Sequence, residues 1–269
     1  MIIDGLNLIE RQFPGFRKSI WKTIYGFLAW RFPTREWFFM NYGYENPSQE
    51  LKLLPEDEKN RYFIQMYAQA FSELELAERD ILEVGCGRGG GSEWISRTQN
   101  VRSMTGLDLS DKAIGLCQEM HKRTNLKYLQ GDAEKLPFPE ARFDMVINIE
   151  SCHHYPSVPT FLQEVTRVLK PGGYFCIADY GEKFELDRLH QYLKDTDLEL
   201  LHWSDISSNV VSALELTEAL KVKLLNSYVP WFLRSPVKTF VGAKGTDIYD
   251  RFVDGRLLYM SAKLRKSIN

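Results

Sequence analysis

Residues 82–91 read LEVGCGRGGG, an apolar run that breaks abruptly into glycine. Gly85, Gly87 and Gly90 form a G-x-G-x-x-G pattern. Gly85 permits a tight turn, Gly87 lets a ligand approach bare backbone, and the helix after Gly90 offers unsatisfied N–H groups. The pattern by itself does not distinguish a nicotinamide dinucleotide from other nucleoside ligands.

The neighbouring residues narrow the choice. Glu83 stands two residues before the first glycine. A carboxylate there repels a pyrophosphate but suits a ligand carrying an ammonium or sulfonium; alternatively it is a strand-end residue facing solvent. Asp108, in TGLDLS, follows Gly90 by 18 residues and ends a second strand-like run. It can accept both hydroxyls of a ribose, which fits any nucleoside. In GDAEKLPFPEARFDMVINI, residues 131–149, Asp132 can accept from an exocyclic adenine amine and Ala133 can offer its backbone N–H. A nicotinamide enzyme has no reason to carry this run.

Short apolar runs alternate with helix-like segments from about 56 to 180. Strands are expected at 80–84, 103–108, 126–130, 143–149 and 174–179, and helices at 56–76, 110–123 and 157–169, the last ended by Pro171-Gly172-Gly173. This β-α-β alternation argues for a mostly parallel sheet with helices on both faces. Residues 181–269 read as helical at first, most clearly over 207–226, with 256–264 as a closing edge strand.

At these positions the chain resembles the class I S-adenosyl-L-methionine-dependent methyltransferases. The residues that carry the resemblance are LEVGCGRGGG, GLDLS, GDAEKLPF, FDMVINIESCHHYP and VLKPGGYFCIADY, in that order. The resemblance implies an α/β Rossmann-like fold with a seven-stranded, mostly parallel sheet and one antiparallel edge strand. It implies S-adenosyl-L-methionine as cofactor, with the glycine turn and Glu83 beside the methionine moiety, Asp108 on the ribose and Asp132 on the adenine. The cofactor set expected is Glu83, Gly85, Cys86, Gly87, Asp108, Leu109, Asp132, Ala133, Asn148 and Tyr42.

Methyl transfer to an alcohol needs a positioned hydroxyl and a base for its proton. ESCHHYP places His153 and His154 just past the fourth strand, where open α/β sheets bind ligands. Asp179 ends the adjacent strand and can orient an imidazole. Two adjacent histidines point different ways, so one serves as base and the other packs or touches substrate. The sugar O-methyltransferases share ES-x-HH-x-P and an Asp closing the next strand, which assigns His153 and Asp179 as the pair. No histidine here shows metal-ligand spacing, and no metal is expected.

A wider similarity links the chain to the mycobacterial phthiotriol/phenolphthiotriol dimycocerosate methyltransferases, from FFMNYGYE through HHYP and RVLKPGGYF to FVGAKGT. That family O-methylates a secondary alcohol on a long apolar lipid, which implies a hydrophobic lipid or polyketide-like acceptor here. N- or C-methylation of a small specialised metabolite is the alternative. His154, Tyr155, Tyr228 and Trp231 are the expected substrate contacts.

Two parts are expected: an aromatic, helical cap over 1–55 and a methyltransferase domain over 56–269, with a substrate-pocket insertion near 181–250. In the cap, Trp21, Tyr25, Phe27, Leu28 and Trp30 recur at helical spacing among Arg17, Lys18, Lys22 and Arg31, and Pro33 stops that helix. This stretch either covers the pocket or lies in a membrane interface. Tyr42, in NYGYE, is placed to close over the cofactor.

Net charge is −2, without the basic field of a nucleic-acid binder, so no nucleic-acid partner is expected. Cysteines at 86, 117, 152 and 176 show no C-x-x-C spacing and read as reduced thiols. No leader pattern or spanning apolar run is evident, which points to the cytoplasm with peripheral membrane contact left open. Oligomeric state is not legible.

Overall fold

The computed structural model describes residues 37–48 and 51–268. The expected helix with Trp21 and Trp30 therefore lies outside the described residues, and so does most of the expected cap.

Seven strands form one sheet: β1 Asp80–Val84, β2 Ser103–Asp108, β3 Leu126–Gln130, β4 Phe143–Ile149, β5 Leu169–Gly181, β6 Leu198–Asp205 and β7 Leu258–Lys266. Their order is β3-β2-β1-β4-β5-β7-β6. The first five pair in parallel, and β7 runs antiparallel to both β5 and β6. The helices are α1 Arg61–Ala70, α2 Gly90–Thr98, α3 Asp111–Met120, α4 Val158–Val168, α5 Lys183–Lys194, α6 Ser207–Leu216, α7 Glu218–Tyr228, α8 Arg234–Phe240 and α9 Asp247–Val253.

Successive strand residues point to opposite faces, so each strand feeds two cores. On β1, Ile81 joins a core with Ile64 and Met66 of α1, Ile95 of α2, Cys117 of α3 and Val210 of α6. Leu82 and Val84 join the other core, with Phe161 and Val165 of α4 and Leu186 and Leu193 of α5. Phe39 and Tyr42 belong to the first core, so the described part of the N-terminal segment packs onto the sheet's helical layer.

Local signals place the helix ends. Ser110 caps α3 by accepting from the Ala113 N–H, and Ser157 caps α4 by accepting from the Thr160 N–H. Gly89 starts α2 from a left-handed conformation at φ 77°.

The topology fixes where a ligand sits. The chain winds outward from β1 through β2 to β3, then crosses back to place β4 on the other side of β1. That reversal opens a crevice at the carboxyl ends of β1 and β4.

Four expectations change. The antiparallel strand 256–264 is hydrogen-bonded on both sides and lies one place in from the edge, with β6 outside it. β6 was not expected at all: as an edge strand it is buried irregularly, and LELLHWSD carries no clean alternation. The expected single helix over 207–226 is two helices, α6 and α7, separated at Thr217. Strand β5 extends back through the expected Pro171–Gly173 turn, with Gly172 at φ 75° and a register shift against β4.

Candidate functional site

The glycine turn leaves β1 with Gly85 and Gly87 both at positive φ, 77° and 51°. A Cβ on Gly85 would lie 2.0 Å from Ser151 Oγ, so this turn tolerates no side chain there. A Cβ on Gly87 would meet nothing nearer than Met40 Cγ at 3.6 Å. Gly87 therefore presents bare backbone to open space, as a ligand cradle requires.

Asp108 ends β2 against this turn. Its Oδ2 accepts from the Gly87 N–H at 2.9 Å and its Oδ1 from the Ser110 N–H at 2.8 Å. Burial pushes its carboxyl up to about 6, against the lowering pull of those amides. Glu83 is 1% exposed, and burial pushes it up to about 7. Its carboxylate accepts from Tyr67 Oη at 2.7 Å and from Ser92 Oγ. It is thus an interior carboxylate, and the solvent-facing reading does not hold. The arginine inside the turn, Arg88, points away and donates to the Trp37 carbonyl at 2.7 Å. Two carboxylates beside the turn, and a buried guanidinium taken up by Trp37, suit hydroxyls and a sulfonium and oppose a pyrophosphate.

The other expected cofactor residues sit as follows. Cys86 is buried in the core, where burial pushes its thiol far up. Leu109 is half-buried after β2, and its carbonyl accepts from Gln130 Nε2 at 3.3 Å. Asp132 forms a turn by accepting from the Glu134 N–H at 2.9 Å, and Ala133 beside it is buried. Asn148 ties β4 to β1, donating to the Val84 carbonyl at 2.8 Å and to Tyr155 Oη at 3.1 Å.

Adjacent strands bring His153 and Asp179 together. Nδ1 of His153 meets Oδ1 of Asp179 at 2.5 Å, and the His153 N–H donates to Oδ2 at 3.1 Å. Asp179 is 1% exposed. Burial works to raise its pKa, but the His153 charge and hydrogen bonds from His153, Cys152 and the Tyr180 N–H outweigh it and hold the carboxyl below its usual range. His154 packs its ring 3.8 Å from that of His153. Tyr155 turns its hydroxyl inward, 2.7 Å from Ser151 Oγ. Tyr228 and Trp231 are exposed, Trp231 by 81%. The inward residues of that segment are Leu225, Val229 and Val237, which pack in a small core of their own.

Residues not singled out from sequence complete the site. Glu150 follows β4 at φ 47°, a strained conformation for a residue with a Cβ. Its Oε1 accepts from the Tyr42 N–H at 2.6 Å and from Tyr259 Oη at 2.9 Å, and burial pushes it up to about 8. The Tyr42 ring packs 5.3 Å from Tyr180, whose ring lies 4.6 Å from His153. Tyr42 thus bridges the N-terminal segment to the His–Asp pair through Tyr180. Glu150 lies inside the quoted ESCHHYP, but nothing local reveals its partners at 42 and 259. Among the described residues no cluster of His, Cys, Asp and Glu could hold a metal.

The switch-point crevice, the glycine cradle and the carboxylates around it define a class I S-adenosyl-L-methionine-dependent methyltransferase. Comparisons agree. Residues 82–177 match the model of a methyltransferase domain. The chain is 36% identical over 243 residues to the phthiotriol/phenolphthiotriol dimycocerosates methyltransferase of Mycobacterium leprae, covering 90% of each chain. It is 36% identical over 224 residues to a fatty-acid O-methyltransferase of Mycolicibacterium smegmatis, covering 83% of this chain and 82% of that one. In structure it resembles geranyl diphosphate C-methyltransferase from Streptomyces coelicolor, solved with S-adenosyl-L-homocysteine, at TM-score 0.64 and 16% identity over 93% of this chain and 98% of that chain. The chain belongs to the S-adenosyl-L-methionine-dependent methyltransferase family that includes these mycobacterial lipid enzymes.

Proposed function

We propose that the protein methylates a hydroxyl of a hydrophobic lipid or polyketide-like acceptor, with His153 as general base and Asp179 as its positioning carboxylate. The observation that carries this is the doubly bonded His153–Asp179 pair at the carboxyl ends of β4 and β5. S-adenosyl-L-methionine, when bound, supplies a methyl carbon on a sulfonium for in-line displacement. Asp179 holds Nδ1, which turns Nε2 into the proton acceptor for the attacking hydroxyl. A base so placed accounts for an alcohol acceptor; an amine or carbon acceptor makes less demand on it.

In this reading Asp108 holds the ribose, Asp132 and the Ala133 N–H hold the adenine, and the glycine turn with Glu83 surrounds the methionine moiety. Cys86, Leu109 and Asn148 shape the crevice, and Tyr42 covers it. The chain then works as a cap over 1–55 and a domain over 56–269, and the acceptor chamber forms between cap residues 37–42 and the 181–250 insertion. Pocket-lining residues from both segments support this: Trp37, Met40 and Tyr42 from one, Leu220, Leu224 and Phe240 from the other. The relatives' lipid names support a hydrophobic acceptor. Peripheral membrane contact would run through the exposed Trp231 and Phe232, since no described helix is long and apolar enough to cross a membrane.

The test is transfer of labelled methyl from S-adenosyl-L-methionine into lipid and polar extracts, followed by mass spectrometry of the product. A methyl ether in the lipid fraction is expected. Label only in polar products, or on nitrogen or carbon, overturns the assignment.

A further inference from the structure

Residues 37–42 cross the crevice from its β1 side to its β4 side. Over the glycine turn, the Phe38 carbonyl oxygen lies 2.9 Å from where a Gly90 Cβ would stand, and Met40 Cγ lies 3.6 Å from where a Gly87 Cβ would stand. The stretch then reaches the far side, where the Tyr42 N–H donates to Glu150 Oε1 at 2.6 Å, just past β4. At the near end Arg88 donates to the Trp37 carbonyl at 2.7 Å and sets its guanidinium 5.3 Å from the centre of the Trp37 ring. One pin thus follows β1 and the other follows β4, and the stretch between them spans the opening.

Both pins are held at a cost. Arg88 is buried, and a guanidinium loses hydration there. Glu150 keeps φ 47°, which strains a residue with a Cβ. The N-terminal segment has other anchors to the fold. The Tyr44 N–H donates to the Tyr62 carbonyl at 2.9 Å and the Glu45 N–H to the Asn209 carbonyl at 3.1 Å, which ties the residues that follow to α1 and α6. Costly pins beside a segment that is anchored elsewhere point to a role at the crevice.

We propose that Arg88 and Glu150 are positioning residues that pin residues 37–42 as a strap across the bound cofactor, with the Glu150 carboxyl holding Tyr42 in place through its amide. The proposal rests on the reading that Tyr42 covers the crevice, and adds what keeps it there. Each pin acts through the strap and not on the transferred methyl.

The test is calorimetric binding of S-adenosyl-L-methionine to the whole protein at about pH 6. That lies below the value of about 8 to which burial pushes Glu150, so glutamine is its neutral isostere. Glu150→Ala and Glu150→Gly should each weaken binding about tenfold, the scale of one strong hydrogen bond. Glu150→Gln should bind within about twofold of the parent, since its amide oxygen accepts the same N–H. Glycine relieves the strained φ and alanine does not, so Glu150→Gly should melt higher than Glu150→Ala while binding the cofactor no better. Arg88→Met should weaken binding on a similar scale. Combined with Glu150→Ala it should lose less than the two single losses together, because both release one strap. Affinity that follows melting temperature, a loss in Glu150→Gln equal to that in Glu150→Ala, or fully additive losses overturn the strap. Tyr42→Ala reads the cover by itself. Parent affinity there sinks the cover and the strap with it. Weaker binding there with parent affinity in Glu150→Ala sinks the pins and leaves the cover standing.

Discussion

His153 and Asp179 are joined twice, Nδ1 to Oδ1 at 2.5 Å and the His153 amide to Oδ2 at 3.1 Å. One carboxylate thus fixes both the ring and the backbone that carries it. Removing the ring should cost chemistry and spare cofactor binding. His153→Ala is expected to lower kcat about 10²–10⁴-fold, the usual contribution of a general base. Its dissociation constant for S-adenosyl-L-methionine should stay near that of the parent. Unchanged turnover in single-turnover assays would rule out the base assignment.

In the proposed reading, the cofactor's sulfonium acts on three carboxyls around the crevice. Burial raises Asp108 to about 6, Glu83 to about 7 and Glu150 to about 8. A carboxyl whose folded pKa is raised stabilises the protein fully below its unfolded pKa, and that stability is lost as pH rises through the folded value. The cofactor-free protein should therefore melt lower at pH 8 than at pH 6. A bound sulfonium favours the ionised forms near it, so affinity for S-adenosyl-L-methionine should rise across the same interval and binding should release protons. Calorimetry in two buffers of different ionisation enthalpy measures this. Proton uptake on binding would contradict it.

The glycine turn offers a steric test. Gly85→Ala brings a Cβ to within 2.0 Å of Ser151 Oγ at a φ of 77°. Overpacking of this kind costs about 1–3 kcal/mol, or about 2–4 °C of Tm per kcal/mol in a chain of this size. Adding Ser151→Ala should restore only part of the loss, because the Ser151 Cβ still lies 2.5 Å from the new Cβ and the backbone strain remains. Full recovery in the double variant would mean that sterics alone set the requirement.

Trp231 and Phe232 are 81% and 63% exposed and pack edge to face against each other. Replacing both with serine should reduce co-sedimentation with phospholipid vesicles severalfold. Turnover of a short, water-dispersed acceptor should not change. Equal sedimentation of both proteins would remove this face as the membrane contact.

The motifs that reveal the fold are local. β1 through β4 fall where alternation and glycine placed them, because each strand's two faces feed buried cores and the pattern is written in consecutive residues. β6 escaped because an edge strand buries little of either face. The position of β7 between β5 and β6 depends on pairing between segments some 80 residues apart, which no window reads.

The site divides the same way. The glycine turn, Asp108 and the His153–Asp179 pair were legible, because each lies at a strand end and the sheet order brings adjacent strands into contact. Trp231 reads from sequence as pocket wall, yet it faces solvent while Leu225 and Val229 of the same segment are buried. Glu150 was silent. Its meaning comes from Tyr42 and Tyr259, which lie more than a hundred residues away on either side. The sequence alone determined the sheet's parallel core, the cofactor crevice and the charge of its lining, all set by short-range patterning. Only the tertiary structure decided which aromatics face inward and which charges are buried without water, because burial is a property of packing between segments that the chain order keeps apart.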